Sequence, residues 1–234
     1  MARPDPSIVI LTGAGISAES GIATFRESGG LWESHSLEEV ATPQGFARDP
    51  DLVHAFYNAR RAAVRGVSPN PAHRALARLE QALPGQVLIV TQNVDDLHER
   101  AGSKRVIHMH GELSRALCHA CQARWAAPDL MHAGDPCPRC GKPATRPDIV
   151  WFGEFPYYMD EIETALSACT TFAAIGTSGQ VWPAAGFVQR ARATGARCIE
   201  INLDQSEVSG DFHEHLIGRA GEAVPAWAER VLAG

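Results

Sequence analysis

Four of the six cysteines stand in two tight pairs with the spacing of metal ligands. Cys118 and Cys121 have two residues between them, and fifteen residues separate this pair from the next. Cys137 and Cys140 repeat the close spacing. The pattern is typical of a zinc ribbon, in which four thiolates bind one tetrahedral ion. Because four sulfurs close the coordination shell, the sequence predicts a structural zinc (Zn) that activates no water. Disulfide pairing is the alternative, and a reducing compartment disfavours it.

A glycine-rich turn, GAGISA at residues 13–18, follows a short apolar run. It matches G-x-G-x-x-A, in which glycines let the backbone approach a pyrophosphate at the N-terminus of a helix. A turn of this kind without any ligand is the alternative. Dehydrogenases place an acidic residue about 20 positions further on, but Glu33 lies in an irregular stretch here. The turn therefore predicts dinucleotide binding and disfavours hydride transfer.

Three polar residues stand at or just after the ends of predicted strands, namely Asn93, Asp95 and His110. In open α/β sheets, ligands bind at that edge. The near-neutral pKa of an imidazole suits proton abstraction from a sugar hydroxyl, so we interpret His110 as a general base. For an arbitrary histidine a structural or surface role is the default, and we assign that default to His35, His54, His73 and His98.

Short apolar runs that alternate with helical patterns must position these residues. The predicted strands are 7–12, 87–91, 172–175 and 197–201, and the predicted helices are 72–83, 159–168, 184–194 and 224–232. This alternation predicts an α/β fold with a Rossmann-like parallel sheet and helices on both faces. We assign residues 1–28, 62–111 and 148–234 to this dinucleotide-binding domain. Residues 29–61 and 112–147 break the rhythm and predict a smaller inserted domain, with a helical part and the zinc ribbon.

Composition excludes several classes of protein. Hydrophobic residues make up 45% of the 234, which favours a buried core over disorder. The net charge of −6 disfavours direct nucleic-acid binding. No apolar stretch approaches the roughly 20 residues of a membrane span, and residues 1–6 are polar and turn-like. We therefore expect a soluble, cytoplasmic protein that contacts no membrane.

A series of motifs resembles those of the sirtuins, the NAD-dependent protein deacylases. In chain order they are GAGISAESGIATFR at 13–26, TQNVD at 91–95, HMHG at 108–111, the two cysteine pairs, VWFGE at 150–154, GTS at 176–178 and NL at 202–203. The resemblance spans nearly the whole chain. It is greatest to the bacterial CobB-type enzymes, which group with the class III sirtuins.

The resemblance implies an enzyme that removes acyl groups from protein lysines and consumes NAD. The acyl oxygen would attack C1′ of the nicotinamide ribose, nicotinamide would leave, and His110 would remove a ribose hydroxyl proton. Water would then complete the release of free lysine and O-acyl-ADP-ribose. His110 and Asn93 are the implied catalytic residues. The implied partners are acyl-lysine proteins or peptides, and we expect a monomer.

The same resemblance assigns the NAD-binding residues. Asp95 would accept a hydrogen bond from the nicotinamide carboxamide, and Gln92 would hold a ribose hydroxyl. Asn93 would hold ribose and a water, while Phe25 and Arg26 would cover the reacting ribose. The full implied set is Gly13, Ala14, Gly15, Ala18, Glu19, Thr24, Phe25, Arg26, Gln92, Asn93, Asp95, His110, Gly176, Thr177, Ser178, Asn202, Leu203 and Ala220.

The acyl group is predicted from Ala41, Tyr57 and Arg60. Tyr57 and Arg60 are spaced i, i+3, which puts both on one helix face, where a phenol and a guanidinium can hold a carboxylate. An amphipathic helix with solvated arginines is the alternative. These positions match those with which class III sirtuins accept succinyl- and malonyl-lysine, so the resemblance implies removal of both acetyl and succinyl groups.

The peptide is predicted to pair with a strand edge, which gives sequence-tolerant binding through the main chain. The residues of this edge are Val150, Trp151, Phe152, Gly153 and Glu154. A solvent-side apolar strand is the alternative.

Three other classes of protein compete with this interpretation. A mono-ADP-ribosyltransferase would use the same NAD site and is the strongest competitor. A dehydrogenase would share the glycine turn but leaves residues 92–95 and the cysteines unexplained. A non-catalytic zinc-ribbon module is disfavoured by the acidic balance and by the intact His110 and Asn93.

Overall fold

A parallel sheet of six strands forms the centre of the computed structural model, which describes residues 7–23 and 35–234. In chain order the strands are β1 (Ile8–Thr12), β2 (Val87–Thr91), β3 (Val106–His108), β4 (Gly111–Cys118), β5 (Arg124–Ala126), β6 (Thr145–Ile149), β7 (Thr171–Ile175), β8 (Arg197–Asn202) and β9 (Glu214–Ile217). The six run β3-β2-β1-β7-β8-β9, and every neighbouring pair is parallel. This order is that of a doubly wound sheet, whose crossover direction reverses beside β1.

Helices cover both faces of this sheet. In chain order they are α1 (Leu37–Val40), α2 (Pro43–Arg48), α3 (Pro50–Arg65), α4 (Pro71–Ala82), α5 (Leu97–Ala101), α6 (Met159–Ala168), α7 (Phe187–Ala193) and α8 (Ala220–Ala233). Val9 and Leu11 of β1 enter a core with α6 and α7. Ile8 and Ile10 enter a second core with α4 and α8. Successive strand residues thus serve opposite faces, as the pleat requires.

A second sheet is antiparallel and has the strand order β5-β4-β6. Its partner is α3, whose first turn is capped because the Asp49 carboxylate accepts the Leu52 N–H at 2.9 Å. Pro50 suits that first turn, since it has no N–H to satisfy. The core between helix and sheet contains Val40, Ala41, Val53, Phe56, Tyr57, Leu113, Ile149 and Trp151.

The fold class predicted from the sequence is confirmed, because each predicted apolar strand lies in the parallel sheet and helices cover both faces. The pattern does not predict β3 and β9. β3 has only three residues, and β9 alternates partly buried and exposed positions at the sheet edge. Two 3₁₀ turns, Ala14–Ile16 and Ala18–Ser20, follow β1 at the glycine-rich turn.

The boundaries of the two predicted domains stay a prediction. Within the described residues, 35–61 contains α1, α2 and most of α3, and 112–147 contains β5, most of β4 and the start of β6. A bilayer-crossing helix is not found in 7–23 or 35–234, where no helix combines the necessary length and apolarity.

Candidate active site and metal centre

Three glycines bring the end of β1 against the end of β7. The Gly13 N–H donates to the Ile175 carbonyl at 3.0 Å, and the Gly15 N–H donates to the Gly176 carbonyl at 2.9 Å. A Cβ atom on Gly13 or Gly15 would lie 2.7 Å from backbone atoms of Gly176. Gly176 has a φ of +63°, and its Cβ would lie 2.4 Å from Ile16 N. We call this contact of Gly13, Gly15 and Gly176 the glycine edge. The close approach of the two backbone segments requires glycine at all three positions. The glycine edge lies at the switch point of the sheet, where doubly wound folds bind ligands.

Asn93 lies beside the glycine edge with its side chain held in one orientation. Its Nδ2 donates to the Gly13 carbonyl at 3.1 Å and to Ser17 Oγ at 3.2 Å. Because a carbonyl oxygen only accepts, these bonds fix the amide and use both of its hydrogens. The Asn93 N–H donates to Thr91 Oγ1 at 3.0 Å. Asn93 Oδ1 is therefore the atom that this side chain offers to a hydroxyl or a water.

Ser17 joins Asn93 to a buried carboxylate. Its Oγ lies 3.2 Å from Asp95 Oδ2 and accepts from Asn93, so the Ser17 hydrogen goes to the carboxylate. The Leu97 N–H donates to the other carboxylate oxygen at 3.1 Å. Burial raises the pKa of Asp95, and these two bonds oppose the rise. The site thus contains a desolvated acceptor next to a fixed amide.

The two histidines of the HMHG motif have different hydrogen-bond partners, and their pKa values shift in opposite directions. His110 Nδ1 lies 3.2 Å from the Gln92 carbonyl, which only accepts, so the neutral ring carries its hydrogen on Nδ1 and keeps a lone pair on Nε2. Burial lowers the pKa of His110, and the Gln92 bond opposes only part of that shift. His108 has acceptors on both nitrogens, the Asn93 carbonyl at 3.2 Å and the Glu99 carboxylate at 2.9 Å.

The opposite pKa shifts of the two histidines indicate different roles, a proton acceptor for His110 and a structural role for His108. Burial alone would lower the pKa of His108, but the Glu99 carboxylate outweighs burial and raises it. With an acceptor at each nitrogen, His108 is the ring whose charged form is favoured and which bonds the Asn93 carbonyl. His110, with a free Nε2 lone pair, is the ring that can accept a proton. The sequence interpretation names only His110, although both rings share one motif.

A buried polar layer beneath Asn93 is also missed by sequence reasoning. Thr12 Oγ1 lies 2.9 Å from Thr91 Oγ1 and 3.0 Å from His98 Nε2. His73 Nε2 lies 3.4 Å from Ser17 Oγ. Burial lowers the pKa of His73 to about 4 and that of His98 well below its ordinary value, so both rings are neutral. The sequence feature that could have predicted this layer is the position of Thr12 and Thr91, each the last residue of a strand that leads into a motif.

The residues predicted to hold the adenosine half lie at or just after the ends of β7 and β8 and at the start of α8. Asn202 Nδ2 donates to the Thr177 carbonyl at 2.7 Å, which joins the ends of these strands. Glu19 Oε2 accepts the Gly221 N–H at 2.6 Å and so ties the turn after β1 to the start of α8, beside Ala220. Ala14 and Ala18 lie in the 3₁₀ turns, and Ser178 and Leu203 follow the strands. Thr24, Phe25 and Arg26 lie outside the described residues.

Helix α3 contains Tyr57 and Arg60, two of the three predicted acyl-pocket residues. Tyr57 is 1% exposed, and its hydroxyl accepts a hydrogen bond from Trp151 Nε1 at 3.0 Å. The Arg60 guanidinium carbon lies 5.9 Å from the Tyr57 ring centroid. Burial raises the pKa of Tyr57 and lowers that of Arg60, and the phenol stays neutral. Ala41 belongs to the same core. An amphipathic helix with solvated arginines does not describe this arrangement, since Arg60 is partly buried over Tyr57.

The prediction of a strand at residues 150–154 is wrong, because they form a turn after β6. The Val150 N–H donates to the His110 carbonyl, and the Phe152 N–H donates to the Ala41 carbonyl, both at 2.9 Å. Two groups that an added strand would use are thus bonded within the chain. The turn lies between His110 and Ala41, and it borders both the candidate base and the acyl-pocket residues.

The four cysteine sulfurs form a compact cluster and lie within 4.8 Å of one another. Sγ of Cys118 is 3.7 Å from that of Cys140. Sγ of Cys121 is 3.8 Å from that of Cys137. A disulfide needs about 2.05 Å, so disulfide pairing is wrong. Zn–S bonds of about 2.3 Å give a tetrahedron with edges of roughly 3.8 Å, so the donor set fits one zinc ion.

A second face of α3, with Asn58 and Arg61, forms hydrogen bonds to the region around the cysteine cluster. Asn58 Nδ2 donates to the Met131 carbonyl at 2.8 Å, and the Met131 N–H donates back to Asn58 Oδ1 at 3.0 Å. Arg61 Nε donates to the Leu113 carbonyl, and its Nη1 donates to Asn58 Oδ1, both at 2.8 Å. A single helix therefore contacts the acyl-pocket core with one face and the zinc ribbon with another.

Comparison with known proteins gives matches along the whole chain. A model of the Sir2 family matches residues 13–183. A Caulobacter vibrioides protein named NAD-dependent protein deacylase is 55% identical over 230 residues, which cover 97% of each chain. A Vibrio cholerae protein of the same name is 54% identical over 237 residues, covering 100% of this chain and 96% of that one.

Solved structures are similar over nearly the same extent. A Sir2 homolog in complex with NAD is 40% identical, with a TM-score of 0.88, and the match covers 96% of this chain and 88% of that one. Sir2Af2 bound to a myristoylated histone peptide is 33% identical, with a TM-score of 0.73, covering 96% and 90%. The similarity is therefore not confined to the parallel sheet.

Proposed function

The chain belongs to the Sir2 family, and from that premise we propose that it is an NAD-dependent protein-lysine deacylase. It transfers the acyl group of a modified lysine to ADP-ribose and releases nicotinamide, and no hydride moves. The observation that carries this proposal is that Ser17 joins Asn93 and Asp95 at the glycine edge, while His110 is bonded to the carbonyl of Gln92, the residue before Asn93. A neutral imidazole, a fixed amide and a desolvated carboxylate suit the cleavage of NAD.

NAD, when bound, supplies the ribose carbon that loses nicotinamide and receives the acyl oxygen. Asp95 accepts a hydrogen bond from the nicotinamide carboxamide, for which a buried carboxylate is a strong acceptor. Gln92 holds a ribose hydroxyl, and the Sir2 homolog solved with NAD supports a dinucleotide at this edge. The other residues proposed for NAD are Gly13, Ala14, Gly15, Ala18, Glu19, Thr24, Phe25, Arg26, Gly176, Thr177, Ser178, Asn202, Leu203 and Ala220.

His110 is proposed to remove the proton from a ribose hydroxyl through Nε2. The Gln92 carbonyl holds the hydrogen on Nδ1, so the lone pair is on the nitrogen that must act. When the ring becomes charged, the same carbonyl stabilises the imidazolium. Asn93 presents Oδ1 to the ribose or to the water that completes the reaction. His108, bonded to the Glu99 carboxylate, keeps the Asn93 backbone in place.

The acyl pocket is proposed to take acetyl and succinyl groups. Tyr57 and Arg60 offer a neutral phenol and a guanidinium to the terminal carboxylate of a succinyl group. Ala41 has a small side chain and leaves the pocket wide. An acetyl group makes neither polar contact, and the pocket still has room for it. The proposal therefore includes both activities and assigns discrimination between them to Tyr57 and Arg60.

The peptide is proposed to bind along residues 150–154. Their turn lies between the carbonyl of His110 and that of Ala41, so a chain beside it delivers an acyl-lysine between the base and the pocket. Sir2Af2 was solved with a myristoylated histone peptide, which supports a peptide substrate. The set proposed for this contact is Val150, Trp151, Phe152, Gly153 and Glu154.

The zinc ion is proposed to be structural. Its four thiolates leave no open position, and chelation is expected to loosen the region that holds α3. Four reduced thiols fit a reducing compartment, so we propose a cytoplasmic location. We also propose a monomer, which light scattering on a size-exclusion column tests directly.

The test is to incubate the protein with NAD and matched acetyl-, succinyl- and unmodified-lysine peptides and to identify the products by mass spectrometry. O-acyl-ADP-ribose with free lysine is expected from both acylated peptides and none from the unmodified one. An ADP-ribosylated protein would favour a mono-ADP-ribosyltransferase, and NADH would favour a dehydrogenase. Replacing His110 with Ala should abolish ester formation, and the Arg65→Ala surface variant is the matched control.

A further inference from the structure

One hydrogen bond crosses from the turn at residues 150–154 to α3. Trp151 Nε1 donates to the Tyr57 hydroxyl at 3.0 Å, across 94 positions of sequence. The Trp151 side chain belongs to a residue that is 2% exposed, and Tyr57 is 1% exposed. Both polar groups are therefore out of water, where a hydrogen bond is strong and an unpaired group is costly.

This bond restricts where the Tyr57 hydrogen can point. The indole N–H is a donor only, so the phenol oxygen must accept on that side. A phenol hydrogen lies near the ring plane, because the oxygen lone pair conjugates with the ring, and it therefore has two favoured orientations. The orientation towards Trp151 is blocked by the indole hydrogen. The Tyr57 O–H is left to donate in the other direction.

Trp151 itself is clamped from several sides. The guanidinium carbon of Arg146 lies 3.5 Å from the Trp151 ring centroid. Arg146 donates to both carboxylate oxygens of Glu154, at 2.7 and 2.8 Å, and Glu154 also accepts the Trp151 N–H at 2.8 Å. The Phe46 ring centroid is 5.1 Å away. A cation over the indole face holds the ring in place and strengthens its N–H as a donor.

We propose that Trp151 is a positioning residue that aims the Tyr57 hydroxyl at the terminal carboxylate of a dicarboxylic acyl group, such as succinyl. The inference rests on the deacylase function proposed above and assigns a specificity role to the indole N–H. Arg60 supplies the charge for that carboxylate, and Tyr57 supplies a directed hydrogen bond. Without the indole N–H, the hydroxyl hydrogen turns between two orientations, and a succinyl group gains less from it.

The test is a double-mutant cycle of Trp151→Phe and Tyr57→Phe. The measured quantity is the selectivity, kcat/KM for a succinyl peptide divided by kcat/KM for the matched acetyl peptide. Trp151→Phe should lower the selectivity about three- to tenfold, the range of one neutral hydrogen bond. In the Tyr57→Phe background, Trp151→Phe should change it no further. An unchanged selectivity in Trp151→Phe, or effects that multiply in the double variant, would overturn the inference.

Two controls separate this inference from simpler failures. Phe46→Leu disturbs the same aromatic cluster without touching the Tyr57 hydroxyl, so it should reduce stability and leave the selectivity unchanged. If it lowers the selectivity as much as Trp151→Phe, packing explains the effect and the inference is wrong. No ester product from any acyl peptide with the unmodified protein would defeat the proposed function instead, and an unchanged selectivity in Tyr57→Phe would defeat the carboxylate pocket.

An NMR measurement keeps the test decisive even where Trp151→Phe fails to fold. The chain has five tryptophans, so indole N–H signals of a ¹⁵N-labelled sample are few enough to assign. Tyr57→Phe removes the acceptor of Trp151, and the Trp151 indole proton should shift upfield and exchange faster with water. An indole signal that does not respond to Tyr57→Phe would contradict the bond on which the inference rests.

Discussion

Two regions of the molecule are held in place by different means. At the glycine edge, Gly13, Gly15 and Gly176 bring backbone against backbone, and both bonds between the strand ends are main-chain bonds. Around α3, the contacts are made by side chains. The Tyr57 hydroxyl accepts a hydrogen bond from Trp151 Nε1, and the Asn58 side chain bonds the Met131 backbone, across 94 and 73 positions of sequence.

The difference explains what each region tolerates. A backbone contact needs a missing side chain, so any substitution that adds a Cβ is blocked. A contact made by a side chain needs a particular group at that position, so single substitutions there change one or two bonds at a time. We therefore expect abrupt losses at the glycine edge and graded, substrate-dependent losses around α3.

The largest expected effect is that of Gly176→Ala. The added Cβ would lie 2.4 Å from Ile16 N, on a residue with a φ of +63°. We expect a loss of about 2–4 kcal/mol in the free energy of unfolding, together with loss of activity towards every acyl peptide. Gly210→Ala is the matched control, since nothing lies within 4 Å of its added Cβ. Denaturant melts and activity assays measure both, and equal behaviour of the two variants would contradict the glycine edge.

Removal of zinc should have the next largest effect. The four thiolates repel one another without the ion, and Asn58 and Arg61 connect their region to α3. Chelation should release one zinc per chain, lower the melting temperature and reduce desuccinylation, and added zinc should restore all three. Metal analysis, thermal melts and product assays test this. Full activity with unchanged melting after complete removal would defeat the structural role.

Arg60→Met should discriminate between substrates. The guanidinium is proposed to bind only an acyl group that ends in a carboxylate, and a hydrogen bond to a charged group contributes about 1.5–3 kcal/mol. We expect kcat/KM for a succinyl peptide to fall about 10- to 100-fold more than that for an acetyl peptide. Steady-state kinetics on the two matched peptides measure the ratio. Equal losses would remove Arg60 from the acyl pocket.

A smaller effect is expected at the face of α3 that holds the zinc ribbon. Asn58→Ala removes a pair of bonds to the Met131 backbone and should cost about 1–3 kcal/mol of stability. Arg65→Ala breaks an exposed ion pair with Asp129 at the same junction and should cost less than about 0.5 kcal/mol. Urea melts of the two variants provide the comparison, and similar losses would show that the partly buried Asn58 amide contributes no more than the exposed ion pair.

The smallest effect is a shift in pH dependence. A base must be deprotonated to act, so kcat/KM should rise as pH rises through the pKa of His110. Because burial lowers that pKa below its ordinary value of 6.5, the midpoint of the acidic limb should lie below pH 6.5. His108, whose pKa is raised, would place the midpoint above 6.5. A pH profile with saturating NAD separates the two histidines.

The glycine edge and the cysteine cluster could be predicted from the sequence because each depends on spacing within short segments. The six-stranded sheet follows from apolar runs, except for β3 and β9, which are too short or too polar to stand out. The turn at residues 150–154 could not be predicted, because it depends on Ala41, far along the chain, which bonds Phe152. The raised pKa of His108 could not be predicted either, because it depends on how the fold places the Glu99 carboxylate of α5 against the His108 ring at the end of β3.

The acyl transfer itself is tested most directly by the fate of a labelled acyl carbon. A succinyl-lysine peptide with ¹³C in its amide carbonyl is incubated with the protein and NAD, and the masses of the products are measured by mass spectrometry at early times. The account predicts the label in an ester of ADP-ribose, with one nicotinamide released per free lysine and no ester from the His110→Ala variant. Labelled free succinate with NAD left intact would contradict it.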